Sequence, residues 1–134
     1  MKVVLDTNVL VSGMMTKGGP CAMILDLLSD DRIVAVLDVR MMNEYRRVCA
    51  EPRLHLDAEA VREFLHFLSD CAENVTAMPR DTDLPDPADP PFLEVATEAH
   101  AVLVTGNKKH FPNKAAGGVQ IVSPREFLDM LRVV

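Results

Sequence analysis

The sequence predicts an α/β fold in which a mainly parallel central sheet is covered by helices on both faces. Three observations predict it. Short β-rich runs alternate with segments of helical spacing along the chain. One of these runs, RIVAVLD at 32–38, is almost continuously apolar, which is typical of a strand buried on both faces. The chain has 134 residues, of which 49% are hydrophobic, and this suits a single domain with its own core.

The first half of the chain is predicted to alternate strands with helices that begin or end at recognisable residues. Pro20 stands in the first turn of one helix, where its missing N–H is tolerated, and Asp38 is placed to cap another. Pro52 ends the helix that Asp38 begins. The predicted elements are a strand over 2–6, a helix over 20–30, a strand over 32–38, a helix over 39–49 and a helix opening at 56–57.

The second half is predicted to contain a weak strand, a loop, and then helices and strands in alternation. The loop over 79–91 is too rich in Pro and Asp to be a regular element. Ser123, Pro124 and Glu126 have the spacing of a helix N-terminus closed by a capping box. The predicted elements are a strand over 74–78, a helix over 92–100, strands over 101–106 and 119–122, and a helix start over 123–130.

Composition restricts the possible functions. A net charge of −6 argues against a broad basic face for nucleic acid, but it leaves open an enzyme whose carboxylates hold divalent cations. The three cysteines form no CxxC pair and are interpreted as reduced thiols. No apolar run has the length of a membrane span and no signal peptide pattern is found, so a cytoplasmic protein without membrane contact is expected.

Several acids and one amide fall near the expected carboxyl ends of strands, where sites form in parallel sheets. Asp6 ends the first strand, and Glu44 lies in the helix after the second. Asp86 and Asp89 precede the helix that leads into a later strand, and Asn107 follows that strand. Oxygen ligands of this kind suit Mg²⁺ or Mn²⁺, and no His/Cys spacing indicates zinc. Together these residues predict a site for a hard cation.

Each of these residues also has a purely structural interpretation. Asp6 and Asn8 fit an Asx-turn at a strand end as well as they fit a site. Asp89 fits a helix N-cap, Glu44 fits a solvated helix position, and Asn107 fits an ordinary turn. Their joint placement is what favours a site. Two further acids are assigned to the loop alone: Asp81 and Asp83.

Three blocks of the sequence resemble PIN-domain proteins, in the branch of toxin–antitoxin components related to the VapC ribonucleases. VVLDTNVLVSG at 3–13 resembles the opening strand with the first acid of that family. LDVRMMNEYRRV at 37–48 resembles the segment around the second acid. DPADPPFLEVATEAHAVLVTGNKKHF at 86–111 resembles the closing block. The resemblance runs nearly end to end and implies a single-domain, three-layer PIN-like fold over 1–134.

The resemblance also implies roles for individual residues. Asp6, Glu44 and Asp89 correspond to catalytic, metal-binding acids, and Asp86 is a further candidate ligand. Asn107 stands where many family members have a fourth Asp, so one metal position is expected to be weakened. Two polar residues are expected to support the site through hydrogen bonds: Asn8 and Thr105.

The implied function is hydrolysis of RNA phosphodiester bonds by a ribonuclease that depends on Mg²⁺ or Mn²⁺. The resemblance further implies a small cognate antitoxin as partner and a homodimer. His110 fits either a phosphate contact or an ordinary surface position. The candidates for holding the RNA backbone are basic residues: Lys17, Arg46, Arg47, Lys108 and Lys109.

The sequence leaves one alternative function open and argues against two others. A degenerate, non-catalytic PIN domain that binds RNA or protein is kept open by Asn107 and by Pro90-Pro91, where family members often have acidic or polar residues. A receiver-type phosphoacceptor domain needs an Asp at the end of its middle strand, and NVTAMPRD at 74–81 offers none there. A haloacid-dehalogenase-like phosphatase needs DxD, where this chain has DTN.

Overall fold

The computed structural model describes residues 1–79, 84–112 and 116–132; Asp81 and Asp83, which were assigned to the loop, lie outside this part of the chain. Five short strands are described. They are β1 (Lys2–Leu5), β2 (Val34–Leu37), β3 (Glu73–Asn74), β4 (Val102–Val104) and β5 (Ile121–Val122). The residues of β1, β2 and β4 are mostly buried.

These strands form one sheet in the order β3-β2-β1-β4-β5, and all neighbouring pairs are parallel. Val3 is opposite Ala35 of β2 on one side and Val102 of β4 on the other. The segments that follow β1, β2 and β4 therefore leave the sheet side by side, at the same edge. This edge is where the candidate acids were expected to meet.

Helices cover the sheet, as the predicted three-layer α/β fold requires, and this fold class is confirmed. The helix α5 contacts β1, β2 and β4 and packs against α3, which in turn contacts α4. A second group is formed by α1, α2 and α6, in which α2 contacts both neighbours. The bounds are α1 (Thr7–Met15), α2 (Pro20–Ser29), α3 (Val39–Cys49), α4 (Ala58–Cys71), α5 (Pro90–Ala99) and α6 (Pro124–Arg132), with 3₁₀ turns at Pro52–Leu54 and Lys108–His110.

The helix α1 was not predicted. Its apolar residues Val9, Leu10 and Val11 are consecutive and all buried, so the segment lacks the polar face by which an amphipathic helix is recognised. The helix begins where the Asp6 carboxylate accepts a hydrogen bond from the N–H of Thr7. Several strands are also shorter than predicted; β3, for example, has two residues where five were expected.

The predicted helix starts agree with the structure better than the predicted strand lengths do. Asp38 caps α3 by accepting a hydrogen bond from the N–H of Met41 at 3.0 Å. The capping box of α6 is confirmed in both directions, because Ser123 Oγ accepts from the N–H of Glu126 and a Glu126 carboxylate oxygen accepts from the N–H of Ser123. Within the described residues, none of the helices combines the length and the apolar composition that crossing a membrane demands.

Candidate metal centre

A cleft of about 310 Å³ opens at the edge of the sheet where β1 ends. Asp6 comes directly after β1, Glu44 projects from α3, and Asp86 and Asp89 lie just before α5. All of these acids line the cleft, so the structure brings together groups that are 83 residues apart in sequence. Asn107 is not among the described residues that line it.

Asp6 forms the floor of the cleft and is only 4% exposed. Its backbone N–H donates to the carbonyl of Val104 in β4 at 2.9 Å, which fixes the residue to the neighbouring strand. One carboxylate oxygen caps α1 through the N–H of Thr7 at 2.8 Å. Burial raises the pKa of Asp6, while the hydrogen bonds from Thr105 and Thr7 act in the opposite direction. Asp6 therefore caps a helix and also lines the cleft.

Two side chains hold the other oxygen of the Asp6 carboxylate. The hydroxyl of Thr105, which is fully buried, donates to Asp6 Oδ2 at 2.7 Å and accepts from the N–H of Asn107 at 3.0 Å. The amide of Asn8 donates to the same oxygen at 3.2 Å, and its Oδ1 accepts from the N–H of Gly106 at 2.9 Å. A Cβ at position 106 would lie 3.2 Å from Asn8 Oδ1, so glycine allows this close approach. These contacts tie the segment after β4 to the acid at the end of β1.

Asp89 occupies the N-cap position of α5, as its structural interpretation required, yet its side chain makes no capping hydrogen bond. The next two residues are Pro90 and Pro91, which have no N–H to donate. The residue is 6% exposed, and Oδ2 has no hydrogen-bond partner among the described residues. Pro90 and Pro91, which depart from the family pattern, therefore leave this carboxylate without a capping hydrogen bond, and it faces the cleft.

The carboxylate of Asp89 lies in an environment that disfavours its charge. Burial, followed by repulsion from Asp6 and Asp86, raises its pKa to about 7. His110 acts in the opposite direction, with Nδ1 3.2 Å from Asp89 Oδ2. A buried carboxylate that faces other carboxylates, with one imidazole nitrogen nearby, is an arrangement that a bound divalent cation would stabilise. The residues present therefore fit a cation site.

His110 belongs to the cleft, which the sequence did not reveal. One ligand atom each of Asp86, Asp89 and His110 lies within 4.8 Å of the other two; Asp6 and Glu44 line the same cleft but are not part of this group of described residues. Asp86 is half-buried, and one of its oxygens accepts from the N–H of Ala88 at 2.9 Å. The available signal was the core residue Phe111 directly after His110, because a buried neighbour fixes the position of the turn.

Glu44 is placed in the cleft by a cluster of core residues. Its neighbour Tyr45 is buried, and the Tyr45 hydroxyl donates to the carbonyl of Leu5, next to Asp6. The Tyr45 ring also packs against Phe92 of α5, with ring centroids 6.2 Å apart. Tyr45 therefore fixes α3 against β1 and α5. The Glu44 side chain is 22% exposed and accepts from Arg47 at 2.6 Å.

The basic residues expected to bind RNA lie outside the cleft. Arg47 pairs with Glu44, and Lys108 pairs with Glu126 at 3.0 Å. Arg53, which was not predicted, lines the cleft and pairs with Glu51 at 2.6 Å. None of the five expected residues is among the described residues that line it: Lys17, Arg46, Arg47, Lys108 and Lys109.

A larger cavity of about 560 Å³ lies between the end of α3 and α4. Among the described residues, its lining includes two arginines, Arg46 and Arg62, and one acid, Glu51. Because the arginines outnumber the acid, this cavity does not suit a hard metal ion. The smaller, acidic cleft is therefore the candidate site.

Comparisons with known proteins agree with the geometry. A family model described as PIN domain matches residues 2–109. An uncharacterized protein of Methanocaldococcus jannaschii is 29% identical over 111 residues, which cover 81% of this chain and 72% of that protein.

Two solved structures show the same fold. VapBC2 from Rickettsia felis, bound to a DNA fragment from their promoter, is similar with a TM-score of 0.65 and 18% identity, over 92% of this chain and 98% of the matched one. FitAcB from Neisseria gonorrhoeae is similar with a TM-score of 0.58 and 17% identity, over 92% and 98%.

Proposed function

Because the chain belongs to the PIN domain family, we propose that it is a ribonuclease that depends on a divalent cation, with Asp6, Glu44 and Asp89 as its catalytic acids. The observation that carries the proposal is the buried carboxylate of Asp89, which faces a cleft lined by other carboxylates and whose Oδ2 has no aligned hydrogen-bond donor in the described structure, although His110 Nδ1 lies 3.2 Å away. The substrate is RNA, hydrolysed at its phosphodiester bonds.

In this proposal the acids of the cleft bind the cation, and neighbouring polar residues orient them. Asp6, Glu44, Asp86 and Asp89 hold the cation, Mg²⁺ or Mn²⁺, which supplies an activated water and stabilises the leaving oxygen when bound. Thr105 and Asn8 support the site by keeping the carboxylate of Asp6 oriented. Asn107 is the weakest of the proposed metal ligands, since it has no charge and does not line the cleft among the described residues. We therefore expect one occupied cation position.

RNA would reach the cleft along basic side chains at its rim. Among the described residues, Arg53 is a positively charged side chain that lines the cleft itself. Because its ion pair with Glu51 is exposed, a phosphate group can take the place of Glu51. The exposed residues proposed from the sequence remain candidates for more distant phosphates: Lys17, Arg46, Arg47, Lys108 and Lys109.

We further propose that the whole chain, 1–134, acts as one nuclease domain in the cytoplasm and is the toxin of a type II toxin–antitoxin pair. The similarity of its fold to VapBC2 and FitAcB supports an antitoxin partner. A homodimer is part of the same proposal. Mass measurement in solution at tens of micromolar tests the dimer, and a purely monomeric species would argue against it.

The ribonuclease proposal is tested by incubating purified protein with a mixed RNA pool and Mn²⁺ or Mg²⁺, beside EDTA. Asp6→Asn removes the charge at the floor of the cleft while keeping the side-chain shape. Asp129→Asn is the matched control, because Asp129 is an exposed acid on α6. We expect cleavage by wild type and control, and none in EDTA or in Asp6→Asn.

Two other outcomes would change the assignment. Cleavage that survives in Asp6→Asn would mean that the catalytic site lies elsewhere or that another nuclease is present. No cleavage and no cation binding by calorimetry would favour the degenerate binding module, for which the uncharged Asn107 is the supporting observation.

A further inference from the structure

We propose that His110 is a nitrogen ligand of the cation in the cleft, together with Asp86 and Asp89, and that the site therefore takes Mn²⁺ or a later divalent transition metal in preference to Mg²⁺. The proposal rests on the proposed function for the presence of a cation. It goes beyond it by adding a ligand outside the carboxylate set and by naming the class of metal.

The distances are those of ligands that share one ion. Asp89 Oδ2 and His110 Nδ1 are 3.2 Å apart, and one atom each of Asp86, Asp89 and His110 lies within 4.8 Å of the other two. In an octahedral site with bonds of about 2.1 Å, neighbouring ligands lie about 3 Å apart and opposite ligands about 4.2 Å apart. Only small side-chain movements would bring these atoms onto one ion.

The contact between Asp89 and His110 is incomplete without a cation. Nδ1 is within ion-pair distance of Oδ2, yet Oδ2 has no aligned hydrogen-bond donor in the described structure. The Asp89 side chain is 8% exposed, so little water reaches this oxygen. An ion between the two atoms would satisfy the carboxylate oxygen and the lone pair of a neutral imidazole together.

The backbone holds His110 in place for this role. It is the last residue of the 3₁₀ turn Lys108–His110, and its N–H donates to the carbonyl of Asn107 at 3.1 Å. The next residue, Phe111, is 2% exposed in the core, and its N–H donates to the carbonyl of Lys108 at 3.0 Å. Since both ends of the turn are fixed, the imidazole is already positioned at the cleft rather than free on the surface.

The nitrogen ligand decides the class of metal. Mg²⁺ prefers oxygen ligands and retains much of its water. Imidazole suits the later divalent transition metals best, and Mn²⁺, the first of that series, accepts a nitrogen ligand more readily than Mg²⁺ does. Affinity of a mixed nitrogen and oxygen site rises from Mn²⁺ towards the later divalent metals. A site in which one histidine joins the carboxylates is therefore expected to discriminate against Mg²⁺ more strongly than a site of carboxylates alone.

The test uses untagged full-length protein and measures cation binding rather than cleavage. Mn²⁺ and Mg²⁺ affinities are measured by calorimetry, and pulsed electron paramagnetic resonance of bound Mn²⁺ reports whether ¹⁴N is directly coordinated. The variants are His110→Gln and His110→Asp. The matched control is His66→Gln, because His66 lies on α4 with a side chain that is 79% exposed.

We expect a directly coordinated ¹⁴N signal in wild type and in His66→Gln, and its loss in His110→Gln. His110→Gln should weaken Mn²⁺ binding about tenfold or more, which is at least the effect of removing a residue that only supports a ligand. His110→Asp should retain Mn²⁺ binding and reduce the preference for Mn²⁺ over Mg²⁺, because oxygen replaces nitrogen.

Three results would overturn the proposal. If Mn²⁺ binds to wild type without a ¹⁴N signal, or binds equally to His110→Gln, then His110 is not a ligand and the cation site of the proposed function stands without it. If wild type binds Mg²⁺ but no Mn²⁺, the proposal fails and the cation-dependent function stands. If it binds neither ion, both fail. The spectroscopic signal is read on wild type, so it does not depend on the folding of any variant.

Discussion

The proposed cation site depends most on one side chain, the carboxylate of Asp89. The sequence places Asp89 before Pro90-Pro91 and so predicts a capping residue. In the structure the residue is at that position, but its side chain caps nothing because two prolines follow. Pro90 and Pro91 were the residues that supported the alternative of a degenerate domain. Because they offer no N–H to Asp89, they leave a buried oxygen of this residue available to a cation.

The first prediction concerns this carboxylate. Without metal, Asp89→Asn should increase the free energy of unfolding at pH 7 by on the order of 1 kcal/mol, because an amide avoids the repulsion and desolvation of a buried charge. It should also abolish RNA cleavage. Chemical denaturation in EDTA measures the first effect. Asp129→Asn serves as control, and a large loss of stability in Asp89→Asn would show that the carboxylate stabilises the fold instead.

The second prediction concerns the hydroxyl that holds Asp6. Thr105→Val keeps the shape of a buried side chain but removes its hydrogen bond to Asp6 Oδ2. Cation affinity should fall about tenfold or more, since the ligand loses its orientation. Calorimetry with Mn²⁺ measures the effect, and Thr16→Val at an exposed position is the control. Unchanged affinity would mean that Thr105 serves packing alone.

The residues that the sequence could predict are those that end strands. Asp6 and Thr105 directly follow β1 and β4, and Asn8 lies in the first turn of α1. Asn8 and Thr105 both donate hydrogen bonds to the carboxylate of Asp6. The sequence offered His110 only as a possible phosphate contact and did not single out Arg53, because each reaches the cleft from a 3₁₀ turn whose direction depends on core packing. Sequence periodicity carries no information about such turns.

At the scale of elements, helices with a capping signature were predicted well, and the helix without an amphipathic pattern was missed. α3 and α6 begin at Asp38 and at the Ser123 capping box. α1 contacts α2 and α3, and its buried residues Val9–Val11 are consecutive rather than spaced at helical intervals, so no amphipathic pattern marks it as a helix. Its N-cap is Asp6, and the missed element is therefore the one that fixes the central acid.

The third prediction concerns α6. Ser123→Ala should lower the free energy of unfolding by about 1 kcal/mol, the usual cost of losing an N-cap. The hydrogen bond to the N–H of Ser123 lowers the pKa of Glu126, so the contribution of this carboxylate is lost as pH falls through that lowered value. Urea denaturation measures the effect, with exposed Ser69→Ala as control. Equal stability of both variants would contradict it.

At the scale of the whole molecule, the sheet order explains why residues distant in sequence meet. β1 is central, with β2 and β4 as parallel neighbours, so the segments after these three strands converge at one edge. The alternation of strands and helices predicted a parallel sheet, but alternation alone does not determine the order of the strands in that sheet. The acidic cleft is consistent with the net charge of −6, part of which a cation would neutralise.

The fourth prediction follows from this arrangement. A cation that binds only the folded chain must stabilise it, and the gain grows with the concentration of the ion. Millimolar Mn²⁺ should raise the melting temperature of wild type and leave that of Asp6→Asn nearly unchanged. Thermal unfolding followed by circular dichroism measures this, and an equal increase in both proteins would indicate binding outside the cleft.

The most direct test of the central claim is a Mn²⁺ titration in which bound cation and the rate of RNA cleavage are followed in the same samples. If the acidic cleft is a catalytic cation site, both quantities saturate together in wild type, and both are lost in Asp89→Asn. Cleavage that does not follow the occupancy of the site, or that persists in Asp89→Asn, would contradict the account.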